Sequence, residues 1–517
     1  MDNNTYVMGI DFGTSGARVG IFDTGGNEVI FCDEPIELLT PHPGFAEQRV
    51  SDWWSALCKA SRRAISETGI APSSIVGIGT DTTACTLVFL DAAMNPLTNA
   101  IMWMDMRASR QAAKAADIDH PVMKFSGYGA PSAEWMPYKT LWVKENLPEV
   151  YHKTAHILAC DDWLGYMLTG NLVKNRNDAA ARWYYDSRHG GWQPDFFRML
   201  GLDDVMDKIP HDVMKLGDKL GGLTPGAAQA LGLAAGTPVA VGGADAYVAM
   251  PALGAVREGR AAMVTGSSHL FMILTKDEIH GKGMLGSYPD AVVDGLEMLE
   301  AGQTSTGSVI NWFKNHLCGG LAQQAHASGR SIYDLLNEQA QALPIGAEGL
   351  ICLDYFQGNR TPYVDGDARG LISGLTLAHT PAHIYRALVE GICYGSEVIF
   401  RTFRKNGVPL RELYACGGAV KSRFWMQTHA DVSNLPINIP RVTEAPVLGA
   451  AILGAVAGGV YPDIVRASGH MVEFVDRIEP DADRHSEYRF YVDQYEALYP
   501  LLKDWMHKTA GHVRAKG

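Results

Sequence analysis

Residues 6–23 read YVMGIDFGTSGARVGIFD, and this stretch carries the strongest indication of the fold. Two apolar, β-rich runs flank a short turn, so the pattern predicts a β-hairpin. Gly13 permits turn geometries in which backbone N–H groups converge on an anion, and Thr14 and Ser15 add hydroxyl donors. Asp11, near the end of the first run, is close enough to organise a hydrated Mg²⁺. The hairpin is a candidate phosphate-binding turn, and an ordinary polar turn is the alternative.

A second aspartate stands in a similar setting. Asp245 follows an apolar run that ends in a glycine pair. Two strand-end aspartates far apart in sequence predict a cleft to which both contribute.

These features belong to an ordered series of segments that resembles the FGGY family of carbohydrate kinases over residues 5–460. Each segment alone is weak, but their order is specific. After the hairpin the series runs GIGTDTTACTLVFLD (77–91), MWMDMRA (102–108), MPYKTLWVKEN (136–146), DDWLGYMLTG (161–170), GGADA, VTGSSH (264–269), EAGQTSTGSVINWF (300–313), DYFQGNRTPYVDGDARG (354–370) and CGGAVKSRFWMQTHADVSNLPI (416–437).

The resemblance implies an α/β chain with two actin-like (ribonuclease H-like) lobes and an ATP/sugar cleft between them. Such kinases move the γ-phosphate of ATP onto a sugar or polyol hydroxyl with the help of Mg²⁺. We expect the N-terminal, sugar-binding lobe to span 1–256 and the C-terminal, nucleotide-binding lobe to span 257–517, ending in a helical tail. VTGSSH would play the part in the second lobe that FGTSG plays in the first.

Composition agrees with this frame. A chain of 517 residues exceeds what one core usually supports, so at least two domains are expected. With a net charge of −13 and no basic run, the chain is not expected to bind nucleic acid. The eight cysteines form no CxxC pair, which favours reduced thiols over a zinc site.

Membrane and secretory segments are not expected. The apolar stretch at 445–461 is short and rich in small residues, which favours a buried helix over a membrane span. The N-terminus lacks the basic and apolar regions of a secretory signal, so a cytoplasmic location is expected. A homodimer is expected only by analogy with the family.

The resemblance also assigns roles to residues of the catalytic and nucleotide sites. Asp245 would be the base that accepts the proton of the sugar hydroxyl, with a turn or capping aspartate as the alternative. Asp11 would bind Mg²⁺, and Arg18 would neutralise phosphate charge unless it forms a surface salt bridge. The residues expected around ATP are Gly13, Thr14, Ser15, Arg18, Gly266, Ser267, Ser268, Gly417, Gly418 and Ser422.

Substrate choice follows from departures within the family. Glycerol kinases carry Arg-Glu where this chain has Ala84 and Cys85, and a glutamine where it has Ala246, so glycerol is disfavoured. TACT, EAGQTSTG and GNRTPY are most similar to the ribulokinase branch, in which a basic residue helps bind the ketose; Arg182 is the nearest match, where a lysine is commoner. The expected sugar contacts are Thr82, Ala84, Trp103, Asp105, Arg182, Asp245, Glu300 and Gln303.

Two residues of these segments also have a purely structural interpretation. Trp103 in an apolar run is often a core residue, and Arg107 is placed to pair with Asp105. The expected reaction is phosphorylation of a ketopentose, ribulose above all, at a terminal hydroxyl. The alternatives are a xylulose kinase, an erythritol or ribitol kinase of the same family, and an actin-like ATPase without kinase activity.

Overall fold

The structure, a computed structural model, describes residues 5–129, 131–441 and 444–514. The first and last residues of the two expected lobes, 1–4 and 515–517, lie outside the described residues. Strands are numbered along the chain as β1 (Tyr6–Gly13), β2 (Gly16–Asp23), β3 (Glu28–Pro35), β4 (Glu47–Gln48), β5 (Ile75–Thr82), β6 (Leu87–Leu90), β7 (Ala100–Ile101), β8 (His156–Ala159), β9 (Lys174–Asn175), β10 (Val213–Met214), β11 (Lys219–Gly222), β12 (Pro238–Ala240), β13 (Gly243–Ala244), β14 (Arg260–Thr265), β15 (His269–Thr275), β16 (Leu285–Pro289), β17 (Glu297–Gln303), β18 (Ile351–Leu353), β19 (Leu371–Ser373), β20 (Glu412–Gly417), β21 (Ile437–Pro440) and β22 (Phe474–Ile478).

Helices connect and cover these strands. Short 3₁₀ helices lie at Pro72–Ser74, Pro121–Ser126, Val205–Lys208 and Gly418–Lys421. The α-helices are α1 (Val50–Thr68), α2 (Ser109–Ala115), α3 (Met136–Asn146), α4 (Pro148–Lys153), α5 (Cys160–Thr169), α6 (Arg176–Arg182), α7 (Pro194–Leu200), α8 (Pro225–Leu231), α9 (Asp245–Leu253), α10 (Gly307–Leu317), α11 (Gly319–Ser328), α12 (Ile332–Gln341), α13 (Pro381–Lys405), α14 (Arg423–Ser433), α15 (Ala445–Ala457), α16 (Ile464–Met471) and α17 (Ala482–Arg514).

Two large mixed sheets share a six-strand topology, to which the second sheet adds β16. The first has the order β11-β12-β5-β1-β2-β3, with β13 also on β5, and the second has the order β16-β17-β15-β14-β20-β21-β22. In each sheet an antiparallel hairpin (β1–β2, β14–β15) continues into a third antiparallel strand, and its first strand pairs in parallel with a later one (β5, β20). The expected echo between FGTSG and VTGSSH is therefore the repeat of one hairpin in two sheets.

Local sequence patterns account for the elements nearest the cleft. The predicted hairpin forms, with Tyr6 opposite Asp23 and Gly13 opposite Gly16. The sequence is helix-like near 51–68 and 136–146, with strand-like apolar runs between these segments, which is typical of an α/β chain. In the structure the two segments are α1 and α3. The C-terminal segment forms α17, which buries Tyr488, Tyr495 and Tyr499.

Helix α15 lies on the first sheet although it comes late in the chain. It packs against β1 and β5 and beside α9, which in turn contacts β14 and β20 of the second sheet. Glycines allow this close approach: a Cβ on Gly79 would lie 1.8 Å from the Ala450 carbonyl oxygen, and one on Gly9 would lie 2.0 Å from that of Val447. Each sheet is therefore contacted by a helix from the other half of the chain.

The apolar stretch at 445–461 is thus a buried helix, as expected. Within the described ranges, no helix is both long and apolar enough to cross a bilayer. The eight cysteines are free thiols, and all except Cys58 are buried.

Candidate active site

The turn of the first hairpin is tied to its surroundings by side chains. The Arg18 guanidinium donates to Asp11 Oδ2 at 2.7 Å, and a Cβ on Gly13 would lie 3.3 Å from that guanidinium. The Trp103 indole N–H donates to Thr14 Oγ1 at 3.0 Å. Because Asp11 is buried, its pair with Arg18 is not the surface salt bridge of the alternative interpretation.

Three carboxylates gather where β1, β5 and α9 meet. The parallel register sets Asp11 beside Asp81, and β13 continues next to β5 and leads into Asp245, the first residue of α9. Asp245 Oδ1 accepts the N–H of Ala246 at 2.7 Å. The two strand-end aspartates that the sequence singled out therefore lie at one end of the first sheet, with Asp81 beside them.

Burial controls the protonation of this group. It raises the pKa of Asp245 to about 7, helped by the negative charge of Asp11 and opposed by the Ala246 N–H and Arg18. Burial also raises the pKa of Asp11, against the pull of Arg18. The pKa of Asp81 lies well above its ordinary value because of burial and the neighbouring Asp11. A general base with a pKa near neutrality is suited to accept a proton at physiological pH.

The carboxylates also offer free ligand atoms. Asp11 Oδ1 and both carboxylate oxygens of Asp81 are buried without a hydrogen-bond partner. Across the described ranges, no cluster of three or more His, Cys, Asp or Glu side chains is arranged to hold a metal ion. Two carboxylates fit Mg²⁺ rather than zinc, because Mg²⁺ keeps several waters and completes its shell with substrate phosphates. The site therefore fits a hydrated magnesium ion.

A buried ion pair connects the two halves of the chain. Arg182, at the end of α6, donates to both carboxylate oxygens of Glu300 on β17 at 3.1 and 3.2 Å. The Tyr247 hydroxyl also donates to Glu300, and Arg182 donates to the Tyr288 hydroxyl at 3.3 Å. The guanidinium lies 5.6 Å from the centre of the Trp135 ring. The structure thus brings Arg182 and Glu300 together inside an aromatic enclosure.

The remaining expected sugar contacts fall into two groups. Trp103 is 36% exposed, so it is not a core residue. Ala84 is half-buried, and Thr82 is buried at the end of β5. Asp105 and Gln303 form the second group, whose polar atoms are hydrogen-bonded to other residues of the protein. Asp105 is fully buried and accepts from Arg107 and from the Ala46 N–H.

Gln303 belongs to the interior of the second half. Its amide donates to Asp354 and to the Ile392 carbonyl, and its oxygen accepts from Ser396. The polar atoms of Asp105 and Gln303 are therefore hydrogen-bonded to other groups of the protein. A sugar contact through either residue stays a prediction, in which a hydroxyl would have to replace one of these hydrogen bonds.

The second hairpin presents an exposed turn. Gly266 and Ser267 are exposed, and the Ser267 carbonyl accepts the N–H of Thr306 at 2.8 Å, so the turn is anchored to the start of α10. Gly417 has a φ of 95°, and a Cβ there would lie 1.8 Å from the Thr265 carbonyl oxygen. Gly418 has open space next to it. The two glycine segments therefore lie side by side at the ends of β14 and β20.

A cavity of about 520 Å³ opens beside these turns, between α12 and the start of α14. Ser422 caps α14 by accepting the N–H of Trp425 at 3.2 Å, and it donates to Asn337 Oδ1 at 3.2 Å. The lining residues are Asp334, Asn337, Glu338, Gln341, Ala342, Lys421, Arg423 and Phe424. The sequence pattern did not identify Asn337, and it quoted Asp81 only within a longer motif.

Two family models and several curated proteins match most of the chain. The profile of the FGGY family of carbohydrate kinases, N-terminal domain, matches residues 6–253, and that of the C-terminal domain matches residues 261–458. A ribulokinase of Bacillus licheniformis is 36% identical over 480 residues, covering 88% of this chain and 87% of that protein. A human FGGY carbohydrate kinase domain-containing protein is 32% identical, covering 96% of each chain.

Solved structures share the fold. A xylulose kinase from Rhodospirillum rubrum superposes with a TM-score of 0.86 at 25% identity, covering 97% of this chain and all of that one. A glycerol kinase from Plasmodium falciparum with ADP gives a TM-score of 0.83 at 20% identity, covering 95% and 97%. The expected two-domain α/β kinase fold is confirmed.

Proposed function

Because the chain belongs to the FGGY family of carbohydrate kinases, which transfer phosphate from ATP to a sugar, we propose that its substrate is a ketopentose, ribulose above all, phosphorylated at a terminal hydroxyl. Family membership sets aside the actin-like ATPase without kinase activity. The proposal for ribulose is supported by the similarity to ribulokinases and by Ala84 and Ala246, which leave out the polar side chains expected for glycerol.

The observation that carries the mechanism is the position of Asp245. Its carboxylate begins a helix at the end of the first sheet and has a pKa of about 7, mainly because of burial. In our proposal it accepts the proton of the attacking sugar hydroxyl. Phosphoryl transfer needs little more from a protein than such a base, alignment and charge neutralisation.

We assign charge neutralisation to groups around the three carboxylates. Asp11 and Asp81 would hold Mg²⁺ through their free oxygens, and the ion would neutralise charge on the phosphates when bound. The Arg18 guanidinium stabilises the ionised form of Asp11 and so opposes burial, which remains the larger effect and raises the pKa of Asp11. Backbone N–H groups and hydroxyls of Thr14 and Ser15 would donate to the transferring phosphate.

The nucleotide is assigned to the second half of the chain. Gly266, Ser267 and Ser268 would donate to its phosphates, and Gly417 and Gly418 would let the backbone approach the adenosine. The cavity beside Ser422 is large enough for a base, and the half-buried Asn337 is one of its polar lining groups. We propose the lobe boundary after residue 256, before β14 begins the second sheet.

On the sugar side, Arg182 and Glu300 would contact hydroxyls of the ketose. Both groups are buried and already paired, so a hydroxyl that exchanges for one of their hydrogen bonds must match their geometry. Trp103 would cover the carbon face of the sugar, and Thr82 and Ala84 would form the floor beneath it.

The test is release of ADP by the purified protein with Mg-ATP and each of D- and L-ribulose, D- and L-xylulose, ribitol, erythritol and glycerol. We expect one ribulose isomer to give a kcat/KM at least tenfold above every other compound. A higher value for a xylulose or a polyol would replace the substrate but keep the reaction.

The matched pair of variants is Asp245→Asn and Asp463→Asn. Both change an aspartate at the start of a helix, but Asp463 caps α16 at the surface, where asparagine serves equally well. Asp245→Asn is expected to lose at least about 100-fold in kcat, the lower end of what a general base contributes. Equal turnover by both variants would refute Asp245 as the base.

We also propose a homodimer, which light scattering would test through the molar mass.

A further inference from the structure

Lys139 is a buried cation with unusual partners. It lies on α3, its side chain is 0% exposed, and its ammonium donates to three backbone carbonyls: Cys85 at 2.9 Å, Met102 at 2.7 Å and Trp103 at 3.3 Å. In the part of the chain that the structure describes, no carboxylate lies within salt-bridge distance of it, unlike Lys144 on the same helix, which pairs with Asp204 at 3.0 Å.

Such an arrangement is costly for the fold. A buried ammonium without a counter-ion loses its hydration, and three carbonyl dipoles compensate for only part of that loss. An unbranched apolar side chain of similar length, such as methionine, would fill the same space without burying a charge, although it would leave the three carbonyls without this donor. The charge therefore serves something other than packing.

The three carbonyls show which parts of the chain the Lys139 ammonium holds together. Cys85 directly follows Ala84 and has a positive φ of 58°, a strained conformation for a residue with a side chain. Met102 and Trp103 belong to the loop after β7. Lys139 thus joins two separate loops that flank the sugar subsite. The second loop also contacts the phosphate turn, because the Trp103 indole N–H donates to Thr14.

We propose that Lys139 is a positioning residue that holds these two loops at the spacing a sugar requires. The proposal rests on the assignment of Ala84 and Trp103 to the sugar subsite. Lys139 contacts neither sugar nor phosphate. Its loss should weaken sugar binding much more than nucleotide binding, since the groups assigned to the adenosine and to the second phosphate turn lie in the second half of the chain, while the first phosphate turn contacts the Lys139-bound loops through the Trp103–Thr14 hydrogen bond.

A pH dependence follows from the same contacts. Burial lowers the pKa of Lys139 to about 8, against the thiol of Cys85 and the carboxylates of Asp105 and Glu134, while Arg107 lowers it further. A neutral amine has two N–H donors, so deprotonation leaves one of the three carbonyls without a partner. Because the folded pKa lies below that of the unfolded chain, this group does not lower stability as the pH rises above 8. The KM for sugar should rise there without a loss of folded protein.

The experiment compares Lys139→Met with Lys144→Met, the same substitution on the same helix at a half-buried position whose ammonium is ion-paired with Asp204. With the best sugar found for the wild type, Lys139→Met is expected to raise the KM for sugar at least tenfold and to change the KM for ATP less than twofold. Between pH 7 and 9 the KM for sugar should rise in the wild type and in Lys144→Met but stay flat in Lys139→Met. Equal changes in both KM values, or a pH dependence that survives in Lys139→Met, would overturn the proposal.

Hydrogen exchange supplies a readout that needs no substrate. Amides of residues 83–86 and 102–105 should exchange faster in Lys139→Met than in Lys144→Met, and unchanged rates would overturn the proposal. If the wild type phosphorylates none of the sugars, the proposed substrate fails while hydrogen exchange still tests Lys139. If Lys139→Met does not fold, a wild-type KM for sugar that is flat from pH 7 to 9 would refute the proposal.

Discussion

The buried ion pair between Arg182 and Glu300 makes a quantitative prediction about stability. Each partner is buried, and among the described residues the hydrogen bonds that remain once the other is removed involve neutral groups: the Tyr247 hydroxyl for Glu300, and the Ala181 carbonyl and Tyr288 hydroxyl for Arg182. Removing one charge of a buried pair strands the other and typically costs about 3–5 kcal/mol. We expect this cost for Arg182→Met and again for Glu300→Gln.

The double variant should behave differently from the sum. Because Arg182→Met with Glu300→Gln removes both charges, no stranded ion remains, and the loss should be smaller than the two single losses together by at least about 2 kcal/mol. With about 2.1 cal/mol/K of unfolding entropy per residue, 517 residues give about 1.1 kcal/mol/K. Each single variant should therefore lower the Tm by about 3–5 °C.

Differential scanning calorimetry of the four proteins tests this reasoning. The control is Arg330→Met, which removes an exposed partner of Glu338 and should shift the Tm by less than about 1 °C, because exposed pairs contribute at most about 1 kcal/mol. If Glu300→Gln shifts the Tm no more than this control, or if the two single shifts simply add, the ion pair is not energetically coupled and the reasoning fails.

Three further predictions concern the carboxylates and the glycine contact. The kcat/KM for sugar should fall about tenfold per pH unit below about pH 7, because Asp245, whose pKa is about 7, must be ionised to act as a base; a rate profile that stays flat to pH 5 would contradict this. Asp81→Asn should weaken Mn²⁺ binding at least tenfold in an electron paramagnetic resonance titration with ADP present, and unchanged affinity would remove Asp81 from the metal site. Gly79→Ala should lower the Tm, since its Cβ would lie 1.8 Å from the Ala450 carbonyl and overpacking costs about 1–3 kcal/mol. Gly320→Ala, with open space in α11, should leave the Tm unchanged or raise it.

Local sequence patterns predicted the parts of the fold that depend on neighbours in the chain. The hairpin around Gly13, helices α1 and α3, and the strand leading to Asp245 all have apolar periodicity and turn residues at short spacing. The order of the family segments added the two-lobed arrangement, which no single segment contains.

The remaining features depend on partners distant in sequence. Asp81 became visible only when the parallel register placed it beside Asp11, 70 positions earlier. Lys139 stands in an apolar, aromatic segment that reveals neither its burial nor its carbonyl partners. Gln303 was expected among the sugar contacts from the family resemblance, and the sequence does not reveal that its neighbours on α13 bond to both ends of its amide. Side-chain partners of this kind are set by tertiary packing, which residue type and spacing do not encode.

The packing of α15 on the first sheet has a consequence for synthesis on the ribosome. The face of β1 and β5 that receives α15 is made within the first 82 residues, but its cover, Ala445–Ala457, is translated more than 360 residues later. At translation rates of about 5–20 residues per second, that face stays without its cover for about 20–70 seconds. Folding of the first half as an isolated unit during translation is therefore disfavoured, and we expect the nascent chain to depend on chaperones until the last helices emerge.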